Sequence, residues 1–412
     1  MHGVPPCLLS RALAAAPRPR NCGNMADPLP FRCLPNPRRG APGIVVLPNG
    51  GFRRARADIS AWPGYAPTPL HPLPGVAEQA GIAALHLKDE SGRFGLGSFK
   101  ALGGAYAVAG VLSAELARRG AARSATAADL FAGRFAAETR GITVACATDG
   151  NHGRSVAWGA QRFGAACAIF VHEGVSQGRI DAIARYGAAI RVVPGTYDDA
   201  VRAAAAEADR QGWFIVSDTS WPGYTEIPRD IMQGYRVMAE EALDQWPGPP
   251  PTHVFIQGGV GGVAAAVSVS ARTRLDPAPS LVVVEPERAA CLLASAAAEG
   301  VPTPAGGNLD TVMAGLACGE PSLIAWQELD RAAAAFLAIP DEAAVHAMRR
   351  LAQEGIVSGE SGAAGLAGLL LAAGDPAART ALALGPDSRA LAFSTEGATD
   401  PALYARLVGT AA

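Results

Sequence analysis

Short apolar segments alternate with alanine-rich segments along most of the chain after Gly81. "ITVACAT" precedes a predicted helix at 153–163, "CAIFV" precedes one at 177–186, and "IRVVP" precedes "YDDAVRAAAAEADRQG". Further buried strands are predicted from "FIVSDTS", "HVFIQGG", "LVVVEP" and "RALAFST". Because repeated strand and helix pairs build parallel sheets that are covered on both faces, the pattern predicts an α/β protein.

The composition favours a large core and a small-molecule partner. Of the 412 residues, 49% are hydrophobic and 17% are charged, so the chain can bury a core that is divided between two lobes. The formal net charge of −2 lacks the basic bias that draws proteins to nucleic acid or acidic membranes. No uncharged apolar run approaches the roughly 18 to 20 residues that cross a bilayer. We therefore expect a cytoplasmic protein with no nucleic-acid and no membrane partner.

The cysteines and the N-terminal residues give weaker signals. The seven cysteines include no pair at the spacing of a zinc site, so we expect reduced thiols and no metal, while a bridge between Cys291 and Cys318 stays open. The first two dozen residues contain three arginines and no acidic residue, which is typical of a transit peptide; a true start at Met25 is the alternative. We expect residues 1–40 to be a disordered or misassigned extension outside the fold.

Three segments carry candidate chemistry. Lys100 in "SFKALGG" lies among residues that usually point inward, which makes it a candidate reactive amine. Asp149, Asn151 and His152 in "TDGNHG" follow a predicted strand, where α/β proteins place ligands, although capping of the next helix would explain Asp149 or Asn151. The glycines of "GGVGG" between a strand and a helix predict a phosphate cup or, alternatively, close packing; they lack the spacing of nucleotide sites.

Together with "STEG" after the last strand, these segments resemble the pyridoxal-phosphate enzymes of fold type II, the tryptophan synthase β-like family, and within it the diaminopropionate ammonia-lyases. The resemblance runs from about Tyr65 to the C-terminus. It is carried by "LKDESGRFGLGSFKALGGAYA", "ATDGNHGRSVAWGAQ", "DTSWPGYTEIPRDIMQGY", "TVMAGLACGEP", "SGESGA" and "STEGATD". "MAGLACGEP" and "STEG" distinguish this subfamily from the threonine dehydratases. The chain departs from the family pattern at Gly97, Ser98 and Pro222, which bears on substrate preference.

The resemblance implies an architecture of two α/β lobes with parallel sheets and pyridoxal 5'-phosphate between them. The large domain would comprise residues 41–104 and 226–412, and the small domain residues 105–225. Members of the family are typically homodimers, so the resemblance implies a homodimer here.

The resemblance also implies roles for individual residues. Lys100 would form a Schiff base with the cofactor, and its apolar setting would favour the neutral amine. Asn151 would donate to the ring hydroxyl oxygen, and Ser394 or Thr395 would face the pyridine nitrogen. The phosphate would be held by the backbone amides of the loop formed by Gly258, Gly259, Val260, Gly261 and Gly262.

The implied reaction is an α,β-elimination that converts the amino acid 2,3-diaminopropionate to pyruvate and two ammonia. Asp149 would take the α-proton of the D-isomer and Lys100 that of the L-isomer, while Asp218 would bind or protonate the substrate amine. Capping of a turn by Asp218 is the alternative for that residue, and we expect His152 to be structural. A serine or threonine dehydratase, or a lyase for a related β-substituted amino acid, would use the same cofactor residues.

Overall fold

Two sheets form the centre of the protein. The computed structural model describes residues 29–409, and seven strands form the larger sheet in the order β1-β10-β9-β8-β11-β3-β2, while four form the smaller one in the order β6-β5-β4-β7. The strands are β1 Arg32–Pro35, β2 Leu70–Pro72, β3 Ala84–Asp89, β4 Thr143–Ala147, β5 Ala166–His172, β6 Ala189–Val193, β7 Phe214–Ile215, β8 His253–Gln257, β9 Ser280–Pro286, β10 Ala333–Ile339 and β11 Arg389–Ser394.

Parallel pairing dominates both sheets. All three pairs of the smaller sheet are parallel. In the larger sheet only the edge strands β1 and β2 pair antiparallel, with β10 and β3 respectively. Every residue of β8 is buried, as expected for a strand that is covered on both faces.

Helices cover both faces of the sheets. They are α1 Asn49–Ser60, α2 Pro74–Ala80, α3 Ala101–Arg118, α4 Ala127–Phe131, α5 Ala136–Thr139, α6 Asn151–Phe163, α7 Gln177–Ala184, α8 Tyr197–Gln211, α9 Glu226–Gln245, α10 Gly262–Arg274, α11 Cys291–Ala297, α12 Leu323–Ala332, α13 Asp341–Gln353, α14 Ala364–Gly374, α15 Pro376–Leu382 and α16 Pro401–Val408. Within the described range, no helix is long and apolar enough to cross a membrane.

The structure corrects the expected N-terminal extension. Residues 1–28 lie outside the described residues, but the rest of the predicted extension 1–40 is not outside the fold, because β1 pairs with β10 over Arg32–Pro35. Arg38 also forms two hydrogen bonds with the Asp330 carboxylate, at 2.7 and 2.8 Å. Strand β10 was not predicted from the sequence, because its residues "AAAFLAI" resemble the alanine-rich helical segments.

The strands of the two sheets come from different parts of the chain. The smaller sheet uses residues 143–215, and the larger sheet uses residues before 90 and after 252. The proposed domain boundaries at 104/105 and 225/226 remain predictions, and helix α3 spans the first of them. The segments that follow β4, β8 and β11 all reach one cavity, as expected for parallel strands, which carry ligand sites at their carboxyl ends.

Candidate active site

One cavity collects most of the predicted site residues. Its lining includes Lys100 and both predicted aspartates, together with Asn151, the glycine loop from Gly259 to Gly262, and Thr395. Gly258 and Ser394 do not line it. Side chains from both the smaller and the larger sheet therefore meet in a single space.

Lys100 and Asp218 form an ion pair in this cavity. Lys100 directly precedes α3, and its Nζ donates to Asp218 Oδ2 at 2.6 Å. The Nζ also lies over the rings of Phe99 and Tyr235, at 5.2 and 5.6 Å from their centroids. Burial lowers the pKa of Lys100, but the Asp218 carboxylate raises it by more, so that the pKa lies above its usual value. The structure thus corrects the expectation of a neutral amine: the charged neighbour outweighs the apolar setting.

Asp218 is held in its ionised form by the same pair. Burial raises the pKa of its carboxyl group, yet the Lys100 ammonium group lowers it below the usual range. The Nε2 of His152 donates to the carbonyl oxygen of Val216 at 2.7 Å, while its Nδ1 lies 3.8 Å from Asp218. Because burial lowers the pKa of His152, its ring is neutral at pH 7 and serves mainly to position its neighbours.

Asp149 presents a carboxylate to the cavity. Its Oδ1 lies 3.1 Å from His172 Nε2, and the interaction with Asp149 raises the pKa of His172. The start of α6 is satisfied by another residue, since Thr148 Oγ1 accepts from the amides of Gly150 and Gly153 at 3.0 Å. Asp149 is therefore not occupied in capping the helix, which was the alternative explanation for its presence.

Asn151 is held from two sides. Its Nδ2 donates to the Glu396 carboxylate, and its Oδ1 accepts from Arg154 Nη2 at 2.6 Å. Because a guanidinium group can only donate, Arg154 fixes the amide with its NH₂ group turned towards Glu396, another residue of the cavity lining.

The glycine loop between β8 and α10 exposes bare backbone. A Cβ atom at Gly258 would lie 2.7 Å from Leu292, and Gly261 has a φ of +97°, which disfavours any side chain. The N-terminus of α10 adds the partial positive charge that favours an anion. Together with the partly exposed Lys100 amine and the Asn151 amide donor, this backbone fits the phosphate and ring groups of pyridoxal phosphate.

Of Ser394, the last residue of β11, and Thr395, which follows it, Thr395 reaches the cavity. Its Oγ1 accepts from Gln257 Nε2 at 2.6 Å. Ser394 is fully buried and donates to Ser358 Oγ at 2.8 Å, which directs it away from the cavity.

Several residues that line the cavity were not predicted from the sequence, and three of them contact predicted site residues. These are Gln257, which anchors Thr395, Glu396, which accepts from Asn151, and Tyr235, which covers Lys100. Gln257 directly precedes the glycine loop and Glu396 stands within "STEG", so both carried a positional signal; Tyr235 lies within α9 and carried none. Cys291 and Cys318 are both free thiols here.

Comparisons with known proteins agree with this arrangement. A protein family described as "Pyridoxal-phosphate dependent enzyme" matches residues 61–389. Diaminopropionate ammonia-lyase of Escherichia coli K12 is 41% identical over 356 residues, which cover 84% of this chain and 88% of that protein. The enzyme of the same name from Salmonella typhimurium is 39% identical over 363 residues, covering 84% and 89%.

A solved structure extends the similarity to three dimensions. This is the structure of diaminopropionate ammonia lyase from Escherichia coli in complex with an aminoacrylate-PLP azomethine reaction intermediate. It matches this chain with a TM-score of 0.82 and a sequence identity of 36%. The match covers 92% of this chain and 97% of the Escherichia coli chain. The predicted family and the predicted fold type II architecture are thereby confirmed. The chain belongs to the family of pyridoxal-phosphate dependent enzymes and, within it, to the diaminopropionate ammonia-lyases.

Proposed function

We propose that the protein is a pyridoxal-phosphate-dependent ammonia-lyase that converts 2,3-diaminopropionate and water to pyruvate and two ammonia. The observation that carries this proposal is the presence of Lys100, Asp218 and Asp149 in one cavity with the glycine loop. The reaction needs a base for the α-proton and an acid for the departing β-amine, and these three groups supply both.

The cofactor would be held by groups that the chain already orients. The Lys100 amine would bind its aldehyde carbon, and the loop from Gly258 through Val260 to Gly262 would donate amides to its phosphate. Asn151 would donate to the ring oxygen, and Thr395 would meet the ring nitrogen. When bound, pyridoxal phosphate withdraws electrons from the α-carbon of an amino acid and so acidifies the α-proton.

The ion pair of Lys100 and Asp218 explains how a proton reaches the β-amine. Ionised Lys100 holds the pKa of Asp218 down. Once the Lys100 amine loses its positive charge, that interaction disappears, and burial of Asp218 raises its pKa. Asp218 would then hold the proton that Lys100 releases and donate it to the departing amine, which leaves poorly unless it is protonated.

Removal of the α-proton is assigned to two groups according to the substrate isomer. We expect Lys100 to accept it from the L-isomer and Asp149 to accept it from the D-isomer. Asp149→Asn therefore lowers kcat/KM for the D-isomer by at least about a hundredfold, because a positioned base contributes on the order of a hundredfold or more, and affects the L-isomer less. Initial rates with each isomer test this; equal losses would show that Asp149 is not a stereospecific base.

A single assay separates the proposed reaction from its alternatives. Purified protein is given D- or L-2,3-diaminopropionate, and pyruvate and ammonia are both measured, with serine and threonine in parallel. Two ammonia per pyruvate is expected with diaminopropionate. Faster turnover of serine or threonine, with one ammonia per oxo acid, would instead establish a dehydratase, which shares every cofactor residue.

We also infer that the protein acts in the cytoplasm as a homodimer. The support is the resemblance to the family, whose members are typically homodimers, and the absence of a membrane-spanning helix among residues 29–409. Light scattering during size exclusion chromatography gives the molar mass in solution, and a mass of one chain would contradict the dimer.

A further inference from the structure

A second cavity lies beside the candidate active site. It holds about 660 Å³ of open space and is lined by residues of α6 and α7 on one side and by the segments around 91–97 and 397–401 on the other. Two of its lining residues are cations, Arg154 and Arg185, and only one is an acid, Asp181. The Asp181 carboxylate already accepts from Gln177 Nε2 at 2.7 Å. The cavity is therefore positively charged overall.

Arg154 is a buried cation without a carboxylate partner. The residue is 6% exposed, and its one side-chain hydrogen bond within residues 29–409 runs from Nη2 to Asn151 Oδ1. No carboxylate oxygen in that range lies within 4.0 Å of its guanidinium group, although Arg179 on the neighbouring helix has such a partner in Glu360 at 2.6 Å. A guanidinium group stays protonated even when buried. The Glu396 carboxylate, on the far side of Asn151, compensates its charge at longer range, so an anion in the second cavity would supply a direct partner.

Further donors of the second cavity also lack partners in the described part of the chain. Arg185 is exposed and lies over the Tyr186 ring at 5.1 Å, but its guanidinium group makes no hydrogen bond there. The hydroxyl groups of Ser91 and Thr399, which line the same cavity, make none either. Four unused donor groups thus surround one positively charged space.

A narrow gap separates the second cavity from the active-site cavity. The gap is bounded by Asn151, Arg154, Arg179 and Thr399 and holds about 10 Å³. This is at the lower limit for a single water molecule, so a substrate cannot pass through it. Arg154 therefore forms part of a wall, with Asn151 on the active-site side and the second cavity on the other.

We propose that the second cavity binds a small carboxylate or phosphate anion between Arg154 and Arg185, with Ser91 and Thr399 as further donors. The forked guanidinium groups match the oxygens of both anion types, and an anion here compensates the buried charge of Arg154. Thr399 lines both cavities, but the gap between them is narrow, so an anion held beside Arg185 leaves the active-site cavity open to substrate.

Calorimetric titration of the holoenzyme tests this proposal. The protein, saturated with pyridoxal phosphate so that the glycine loop is filled, is titrated separately with inorganic phosphate and with malonate at constant ionic strength. Wild-type protein is expected to bind at least one of them with a Kd below about 1 mM. Arg154→Met weakens this binding at least about tenfold, because a charge-assisted hydrogen bond is lost. Preference for phosphate or for malonate identifies which anion class the cavity selects.

Two further variants keep the test decisive if Arg154→Met fails to fold. Arg185→Met removes an exposed charge and weakens binding roughly threefold. Arg191→Met is the matched control. Like Arg185, Arg191 is exposed and lies over an aromatic ring, since its guanidinium group is 5.9 Å from the centroid of the Trp213 ring. Arg191 does not line the second cavity. The proposal is overturned if the wild type binds neither phosphate nor malonate. It is also overturned if Arg185→Met binds the preferred anion as tightly as Arg191→Met does. Neither readout depends on turnover.

Discussion

Two lysines of this protein are paired with carboxylates, and only one of them is placed to react. Lys88 on β3 is fully buried and donates three hydrogen bonds of 2.8 Å, to Thr68 O, Glu241 Oε2 and Gln245 Oε1. Among residues 29–409, Lys100 has a single hydrogen-bond partner, Asp218, and its side chain, which lines the active-site cavity, is 19% exposed. An ammonium group has three donors, so Lys88 is saturated and Lys100 is not.

The pKa shifts of these two lysines would suggest the opposite assignment. Burial lowers the pKa of Lys88 in spite of Glu241, whereas Asp218 raises that of Lys100. A perturbed pKa marks functional and structural ion pairs alike. What distinguishes the reactive lysine is unused hydrogen-bonding capacity combined with access to a cavity.

The Lys88 cluster holds the larger sheet to helix α9. Arg93 binds Glu241 at 2.7 Å and Glu90 at 2.8 Å, and Thr68 donates to Glu90 at 2.6 Å. Each charged group in this cluster has an opposite charge and further hydrogen bonds, which is the condition under which buried charges are tolerated. We therefore expect substitution of Lys88 to affect folding and substitution of Lys100 to affect chemistry.

The largest expected effect is that of Lys100→Ala. The variant folds, but it loses the absorbance band that reports covalent attachment of pyridoxal phosphate, and its turnover of 2,3-diaminopropionate falls to background because the only proposed attachment point is gone. Visible absorbance and pyruvate release measure this. A retained band in Lys100→Ala would mean that another amine, with Lys88 the first to examine, binds the cofactor.

The reverse pattern is expected for Lys88→Met. Removing one member of a buried ion cluster costs about 3 kcal/mol of unfolding free energy, since Glu241 retains Arg93 but loses half of its compensation. Urea unfolding measures the loss, and the folded fraction should keep its cofactor absorbance. Wild-type stability together with lost absorbance would reverse the assignment of the two lysines.

Asp218→Asn removes the carboxylate that pairs with Lys100 and keeps the lysine itself. The pKa of Lys100 then falls, because burial remains and the opposing carboxylate is gone. Loss of the proton donor lowers kcat with 2,3-diaminopropionate about a hundredfold. Asp198→Asn, at an exposed acid of α8 outside the cavity, is the control and should leave kcat unchanged. An unchanged kcat in Asp218→Asn would exclude this residue from the proton transfers.

The sequence predicted the elements with strong local patterns. The apolar runs at β4, β5, β8, β9 and β11 are short and β-branched or flanked by glycine, and the structure has strands there. It could not predict β10, whose alanines favour a helix locally; the strand forms because β9 and β1 pair with it on both sides. β1 was missed for a related reason, since its pairing with β10 joins residues that are distant in the chain.

Within the site, motifs predicted positions better than interactions. Lys100, Asn151 and the glycine loop lie in short, distinctive segments, and the structure brings them into one cavity. The ionisation of Lys100 depends on Asp218, which lies 118 positions away, and no local pattern reports that distance. Likewise, the sequence "STEG" does not show whether the hydroxyl of Ser394 or that of Thr395 reaches the cavity. In the structure Ser394 is buried against Ser358, so the hydroxyl that reaches the cavity is that of Thr395.

The smallest expected effect is a change in the pH dependence of stability. It follows from comparing two buried glutamates, Glu241 and Glu285, as the two lysines were compared. The cations Arg93 and Lys88 keep the pKa of Glu241 low despite burial. Glu285, on β9, accepts only the backbone amides of Leu292 and Leu293, each at 2.8 Å, and burial raises its pKa to about 8. Glu285 thus resembles Lys88 in burial, but among residues 29–409 no cation lies within 4.0 Å of it, and the more distant charge of Arg32 does not outweigh its burial.

A raised pKa in the folded state gives a defined pH dependence. The folded protein holds the Glu285 proton more tightly than the unfolded chain, so its contribution to stability is complete below pH 4.5 and falls as the pH rises towards 8. Glu285→Gln cannot ionise and removes this decline. Urea unfolding of the wild type and of Glu285→Gln at pH 5 and 8.5 gives the stability that each protein loses between the two pH values. The loss in the wild type minus the loss in the variant is the effect of Glu285. If both proteins lost the same stability between these pH values, Glu285 would already be ionised at pH 5, and a buried carboxylate would need no cation beside it in this fold.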